Sequence, residues 1–193
     1  MKVNWLKQVN LKGNVLDIGT GDGINLKYYS LYKKNINHIT CVEPNVHLHT
    51  KLLQRAKQYN LPVELFSGTF EQFAKKNPKL EFDTITGIFV LCSVDNSEVV
   101  IDGLYSVLKL GGTLALFEHI KQQNNLILNI IQILFLPVHL YYGGGCNLRR
   151  LHASTLKKYK FNNVKEEYLT CYKILMLWMV KFYSFVGNKP LVY

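Results

Sequence analysis

The sequence predicts an α/β fold, a doubly wound and mostly parallel sheet. Three observations lead there. Short apolar runs alternate with segments of helical apolar spacing over residues 14–118. The connections between them are short, as right-handed crossovers require. The first apolar run stops at a cluster of glycines, and such sheets bind ligands outside the carboxyl ends of their strands.

The elements follow in order. Asn14 to Ile18 (NVLDI) reads as a buried strand. Residues 24–33 carry helical spacing. Residues 37–43 (NHITCVE) form a second strand, stopped by Pro44. Val46 to Tyr59 is a helix with Asn45 as its N-cap. Val63 to Phe66 is a third strand, Thr69 to Lys76 a short helix and Phe82 to Gly87 a fourth strand. Ser97 to Leu108 is an amphipathic helix, and Lys109-Leu110-Gly111-Gly112 reads as its stop and turn. Thr113 to Glu118 is a fifth strand. Leu126 to Tyr142 is a long apolar helix, and Gly143 to Cys146 a loop. Val164–Thr170 and Met179–Val186 complete seven strands, with Gly187 to Pro190 as the exit turn. No linker divides the chain, so residues 1–193 form one domain, with 120–160 as a helical segment on the substrate side.

Composition narrows the function classes. The chain has 193 residues, 23 Lys+Arg and 13 Asp+Glu, for a net charge of +10. Hydrophobic residues make up 48%, which excludes general disorder. Lysines are dispersed, with pairs at 33–34, 75–76 and 157–158 and no longer run. A basic solvated surface explains them, with an anionic membrane surface as the alternative, and no nucleic-acid partner is expected. Residues 126–142 interrupt their apolar run with Asn129, Gln132, Pro137 and His139, so a cover for the sheet or an interfacial membrane contact fits better than a span. The four cysteines form no CxxC pair and no secretory leader precedes them, so a reducing, intracellular setting with free thiols is expected. His47 and His49 diverge on a helix and no other ligand cluster is visible, so no metal is expected.

Asp17-Ile18-Gly19-Thr20-Gly21-Asp22-Gly23 joins the first strand to the first helix. Glycines at these positions permit a tight turn and a close backbone approach to a ligand. A dinucleotide fingerprint would place Gly or Ala at position 24, where Ile stands, and no phosphate-binding GxxxxGK[ST] loop exists. Glu43 ends the second strand, 20 residues after Gly23, where an acid accepts ribose hydroxyls in related folds.

The D-x-G-x-G-x-G pattern resembles motif I of the class I S-adenosyl-L-methionine (SAM) methyltransferases, whose fold is Rossmann-like. The resemblance implies SAM as cofactor. Asp17, Gly19, Thr20, Gly21 and Gly23 would hold its amino-acid end, with Glu43 and Pro44 at the ribose. Thr69, Phe70 and Phe89 line the adenine side and the tip of the fourth strand. Asp83 is read as structural, near the loop after the first strand. The stretches Cys41–Asn45, Leu91–Val94, Leu110–Gly112 with Phe117–His119, and Gly145–Leu148 with Arg150 are together similar to the animal methyltransferase-like-seven family, the alkyl thiol S-methyltransferases. That likeness implies methylation of a small apolar thiol. It also implies a cytoplasmic chain or one peripherally associated with endoplasmic reticulum or lipid-droplet membrane. Only 16 residues precede Asp17, so the family's N-terminal anchor is expected to be absent and its lid helix short. Nothing in the sequence assigns an oligomeric state.

A thiol acceptor needs little base help, because it is partly ionised near neutrality. His119 is the candidate general base or a structural histidine, and Glu118 would orient it or cap a helix. Cys92, Ser93 and Cys146 are read as pocket walls. Leu134, Phe135, Leu136, His139 and Tyr142 are expected to form the apolar acceptor wall. The alternatives are a lipid or quinone acceptor, which would depend more on His119, and a non-catalytic module that acts as a partner. The [ND]-PP-[YF] signature of amino-methylating enzymes is absent, since Thr86-Gly87-Ile88-Phe89 stands there.

Overall fold

A computed structural model describes residues 5–6, 8–121, 125–150, 152–171 and 180–191. Seven strands among the described residues form one sheet: β1 (Gly13–Ile18), β2 (Ile36–Glu43), β3 (Val63–Ser67), β4 (Phe82–Ile88), β5 (Leu108–Ile120), β6 (Asn162–Cys171) and β7 (Val180–Asn188). Their order is β3-β2-β1-β4-β5-β7-β6. The first five are parallel, and β7 runs antiparallel between β5 and β6. The helices are α1 (Leu26–Tyr29), α2 (Val46–Gln58), α3 (Phe70–Lys76), α4 (Ser97–Ser106), α5 (Leu126–Tyr142) and α6 (His152–Leu156).

The parallel strands read as apolar runs because both of their faces are covered. Alternate residues face opposite sides. Leu16, Ile18, Ile85, Leu114 and Leu116 join Phe70 and Phe73 of α3 and Val100, Ile101 and Leu104 of α4 on one face. Val15, Ile39, Cys41, Ala115 and Phe117 join Trp5, Leu6, Leu26, Tyr29 and Leu52 on the other.

Several predicted boundaries move. The helix expected over 24–33 is a single α-turn followed by a 3-10 helix (Ser30–Asn35). Ser30 Oγ donates to the carbonyl of Lys27, a local bond that competes with α-helix continuation. Leu108 opens β5 instead of ending α4, and Lys109 to Gly112 lie inside that strand across a register shift against β4. Their backbone finds partners there: Gly111 N–H donates to the carbonyl of Lys189, and Lys189 N–H to that of Gly112. Gly187 and Asn188 likewise belong to β7 and not to an exit turn. The short helix α6 was not predicted.

Asp83 sits at the other end of the sheet from the glycine loop. Its carboxylate accepts from Asn14 N–H at 2.8 Å and pairs with Lys109 at 2.9 Å, so it locks the start of β1 to β5. The expected position near the loop after β1 is therefore wrong: Asp83 opens its strand, and that loop lies at the opposite strand ends. No helix among the described residues is long and apolar enough to cross a membrane.

Candidate functional site

At the carboxyl ends of β1 to β4 lies a cleft of about 690 Å³, within the range of small-molecule sites. Its wall runs from Ile18 and Gly19 through Glu43, Pro44 and Asn45 to Thr69–Gln72, and closes over Phe89, Val90, Ser93, Val94 and Gly144.

The glycine loop is stitched to the sheet. Gly19 N–H donates to the carbonyl of Val42 at 2.8 Å, and Thr20 Oγ1 to that of Asp17 at 2.8 Å. Gly21 N–H donates to Glu43 Oε2 at 2.8 Å, while Asn45 N–H donates to Glu43 Oε1 at 2.8 Å. Glu43 is thereby fixed at the cleft wall, and each carboxylate oxygen keeps further acceptor capacity. Gly21 has φ +62°, and a Cβ placed there would meet no atom within 4 Å. Of the loop, Gly19 lines the cleft, whereas Thr20, Gly21 and Gly23 do not. Asp22 turns outward instead and pairs with Lys51 at 3.0 Å and with Arg55 of α2. Partial burial opposes its ionisation, but those two cations hold its carboxyl below the usual range.

Asp17 lies behind the loop. Its Oδ1 accepts from Thr86 Oγ1 at 2.9 Å and from Tyr29 Oη at 3.1 Å, and its Oδ2 is buried without a partner. Burial, against the hydrogen bonds of Thr86 and Tyr29, pushes its pKa up to about 6. Tyr29 was missed in the sequence because its ring reads only as an apolar helix position.

Thr69 caps α3: its Oγ1 accepts from Gln72 N–H, and Gln72 Oε1 accepts from Thr69 N–H at 2.9 Å. Thr69 and Phe70 both line the cleft, but the Phe70 ring packs in the core. Val94, in the expected stretch Leu91–Val94, completes the wall with Gln72 and Leu48, which carry no such sequence signal. Phe89 takes a left-handed backbone, φ +59°. A bulky side chain adopts it only under constraint, here the bond from Phe89 N–H to the carbonyl of Phe117 and ring stacking on His119 at 4.3 Å.

Glu118 does not orient His119. The two point to opposite faces of β5, and Glu118 Oε1 accepts from Val90 N–H at 3.0 Å, holding the loop after β4. Burial pushes its carboxyl well above the usual carboxylate range. His119 Nδ1 faces two sulfurs, Cys146 Sγ at 3.4 Å and Cys92 Sγ at 3.7 Å, which are themselves 3.1 Å apart. Sharing a hydrogen bond with Cys146, reinforced by burial, raises the Cys92 thiol pKa. The same bond lowers that of Cys146. The sequence offered no ligand cluster; the fold builds one from three distant segments. Cys92 and Cys146 lie behind the cleft wall, while Ser93 is on it.

The segment after β5 returns over the strand ends. Asn147 N–H donates to the carbonyl of Cys92 at 2.8 Å, and Arg150 Nη1 to that of Leu91 at 3.1 Å. The acceptor wall expected on α5 is not built. Leu134 is 69% and Tyr142 80% exposed, and Tyr142 packs edge-on against Tyr141. His139 is buried beside His119, off the cleft. Along α5 the side chains fan around the axis, and those two apolar residues fall on the outer side.

The strand order and this cleft define an α/β domain built for a nucleoside-bearing cofactor. The chain belongs to the methyltransferase domain family, whose profile matches residues 4–163. Its cofactor is SAM, as fold and family imply. The residues fit that molecule. The Glu43 carboxylate on the cleft wall has acceptor capacity to spare, the Gly21 Cβ position is open, and Asp17 Oδ2 behind the loop is buried without a partner. The chain is 28% identical to rat thiol S-methyltransferase TMT1B over 168 residues, 86% of this chain and 67% of the relative. It is 27% identical to human thiol S-methyltransferase TMT1A, over 82% of this chain and 64% of the relative. Among solved structures, the YcgJ protein of Bacillus subtilis superposes with a TM-score of 0.71 at 14% identity, each chain 96% covered. A putative methyltransferase of Bacillus halodurans gives 0.69 at 15%, covering 97% of this chain and 98% of the other.

Proposed function

We propose that the chain transfers the methyl group of SAM to a small apolar thiol. One observation carries this reading beyond the names of the relatives. Glu118, expected to work with His119, instead holds Val90, and the Nδ1 of His119 faces the sulfurs of Cys92 and Cys146 and not the cleft. A thiol is the acceptor that dispenses with a base.

When bound, SAM supplies an electrophilic methyl group on a sulfonium. Glu43 would hold the ribose hydroxyls, the loop Gly19–Gly23 would take the amino-acid end, and Thr69 with Gln72 would border the adenine. Phe89, Val90 and Val94, which line the cleft, would shield the reacting end from water, and the contribution of the chain would be chiefly positioning. Of residues 120–160, read as the substrate-side segment of one continuous domain, Gly144 reaches the cleft wall.

Peripheral membrane contact belongs to the same reading. Leu126, Ile127, Leu134 and Tyr141 leave an exposed apolar face on α5, and the chain carries a charge of +10. Flotation with anionic and neutral vesicles tests it: retention on the anionic vesicles alone is expected, and no retention on either overturns it.

The acceptor is tested by incubating the chain with SAM and a matched pair, an alkanethiol and the alkanol of equal length, with products read by mass spectrometry. The methyl thioether is expected. Methylation of an oxygen acceptor with the thiol left unchanged would reject the reading.

A further inference from the structure

Cys92 follows β4, His119 lies on β5 and Cys146 follows the glycine loop after α5, yet their ligand atoms all lie within 4.8 Å of one another. We propose that Cys92 Sγ, Cys146 Sγ and His119 Nδ1 bind a borderline-soft divalent cation, zinc by its ligand chemistry, and that its fourth position takes the acceptor thiol. The last clause rests on the thiol reading above; the cation site does not.

The distances carry the site. A tetrahedral zinc has bonds of about 2.3 Å to sulfur and about 2.0 Å to nitrogen, which separates a sulfur from a nitrogen ligand by about 3.5 Å and two sulfurs by about 3.8 Å. The observed nitrogen–sulfur separations, 3.4 and 3.7 Å, straddle that value. The sulfurs, 3.1 Å apart, open by about 0.7 Å to reach it.

The ligands are also held in place from outside. Phe89 stacks on the His119 ring at 4.3 Å, and Phe182 packs tilted beside it at 5.2 Å. The bond from Asn147 N–H to the carbonyl of Cys92 ties the two cysteine segments together. Such outer supports are what fix metal ligands in their productive orientation.

The chemistry balances without a redox partner. Each cysteine releases its proton to solvent as its sulfur–metal bond forms, His119 donates the Nδ1 lone pair, and the cation keeps its oxidation state. Two thiolates neutralise the dication, which suits a site where Cys92 is 1% and Cys146 6% exposed. Three protein ligands leave one position free, as catalytic zinc sites do. Ser93 links the cluster to the cleft: its Oγ is 3.6 Å from Cys92 Sγ and it lines the cleft wall. An acceptor thiol at that position loses its proton to solvent and binds as the thiolate.

The test titrates Co²⁺, then Zn²⁺, into the reduced full chain. A sulfur-to-cobalt charge-transfer band saturating at one equivalent and displaced by Zn²⁺ is expected. Cys92→Ser, Cys146→Ser and His119→Ala should each weaken Zn²⁺ at least ~100-fold, and Cys41→Ser should not. An unchanged circular dichroism spectrum and retained S-adenosylhomocysteine binding show that a variant is folded. Absence of the band, its survival in the Cys92→Ser/Cys146→Ser double variant, or a Cys92–Cys146 disulfide in the freshly isolated chain would overturn the site. Adding an alkanethiol to the cobalt-loaded chain should shift the band, and no shift overturns the fourth-position assignment. Thiol methylation undiminished in the metal-stripped chain rejects the fourth-position assignment and leaves the acceptor reading. Metal binding without methylation of any thiol rejects the acceptor reading and leaves the cation site.

Discussion

The backbone N–H of Gly21 and the carboxylate of Glu43 are joined at 2.8 Å, so the loop after β1 and the tip of β2 form one rigid corner of the cleft. Glu43→Ala removes this bond, the bond from Asn45 N–H and the acceptor for the ribose hydroxyls. Affinity for S-adenosylhomocysteine should fall at least ~100-fold, about 2.7 kcal/mol, read by calorimetric titration. Glu43→Gln keeps one acceptor oxygen and should lose less.

Two glycines of that loop should separate ligand effects from folding effects. Gly21→Ala places its methyl in open space, so it should cost about 1 kcal/mol of stability for the left-handed backbone and, with the amino-acid end of the cofactor against this loop as proposed, most of the ligand affinity. Gly19→Ala drives its Cβ to 2.6 Å from the Val90 side chain, so it should lower the melting temperature well beyond Gly21→Ala. Thermal unfolding with and without S-adenosylhomocysteine checks both.

Asp17 gives the pH dependence a sign. Its native pKa of about 6 lies above the ordinary 3.8, so the native state binds the extra proton. The stability this contributes is fully present below pH 3.8 and is lost as the pH rises through about 6, by about 3 kcal/mol in all. Asp17→Asn cannot titrate, so its stability relative to the parent should increase by that amount from about pH 4 to about pH 7. Groups common to both chains, including His152, whose burial lowers its pKa to about 4, cancel in the difference. Urea denaturation across that range measures it.

Lys189 is a structural cation. Its Nζ donates to the carbonyls of Tyr105 at 2.9 Å and Leu108 at 2.8 Å, where α4 passes into β5. Lys189→Met keeps the aliphatic stem but leaves both carbonyls without this donor, and should destabilise by about 2 kcal/mol without changing cofactor affinity. Urea denaturation and S-adenosylhomocysteine titration in parallel report the two effects.

The sequence carried the sheet from β1 to β5 because doubly covered parallel strands must be apolar, and Val15-Leu16 and Leu114-Ala115-Leu116-Phe117 are. It carried Gly21 and Glu43 for a related reason: a tight loop and an acid at a strand tip are local requirements. What it did not carry is nonlocal. Cys92, His119 and Cys146 meet only because β4 and β5 are neighbours and the segment after α5 folds back over them. Glu118 and His119 are adjacent in sequence, yet strand alternation gives them separate partners. Leu108 continues the apolar spacing of α4 and so reads as helix, whereas pairing with Phe82 makes it strand. Tyr142 reads as core by hydropathy and is exposed because α5 turns it outward.

The most direct test of the site is a side-by-side calorimetric titration of S-adenosylhomocysteine into the full chain and into Glu43→Ala. The parent should bind one equivalent at micromolar affinity, about −8 kcal/mol, and Glu43→Ala should show no saturation at the same concentrations. Equal binding by both chains would contradict the placement of the cofactor against Gly21 and Glu43, and with it the account of the cleft.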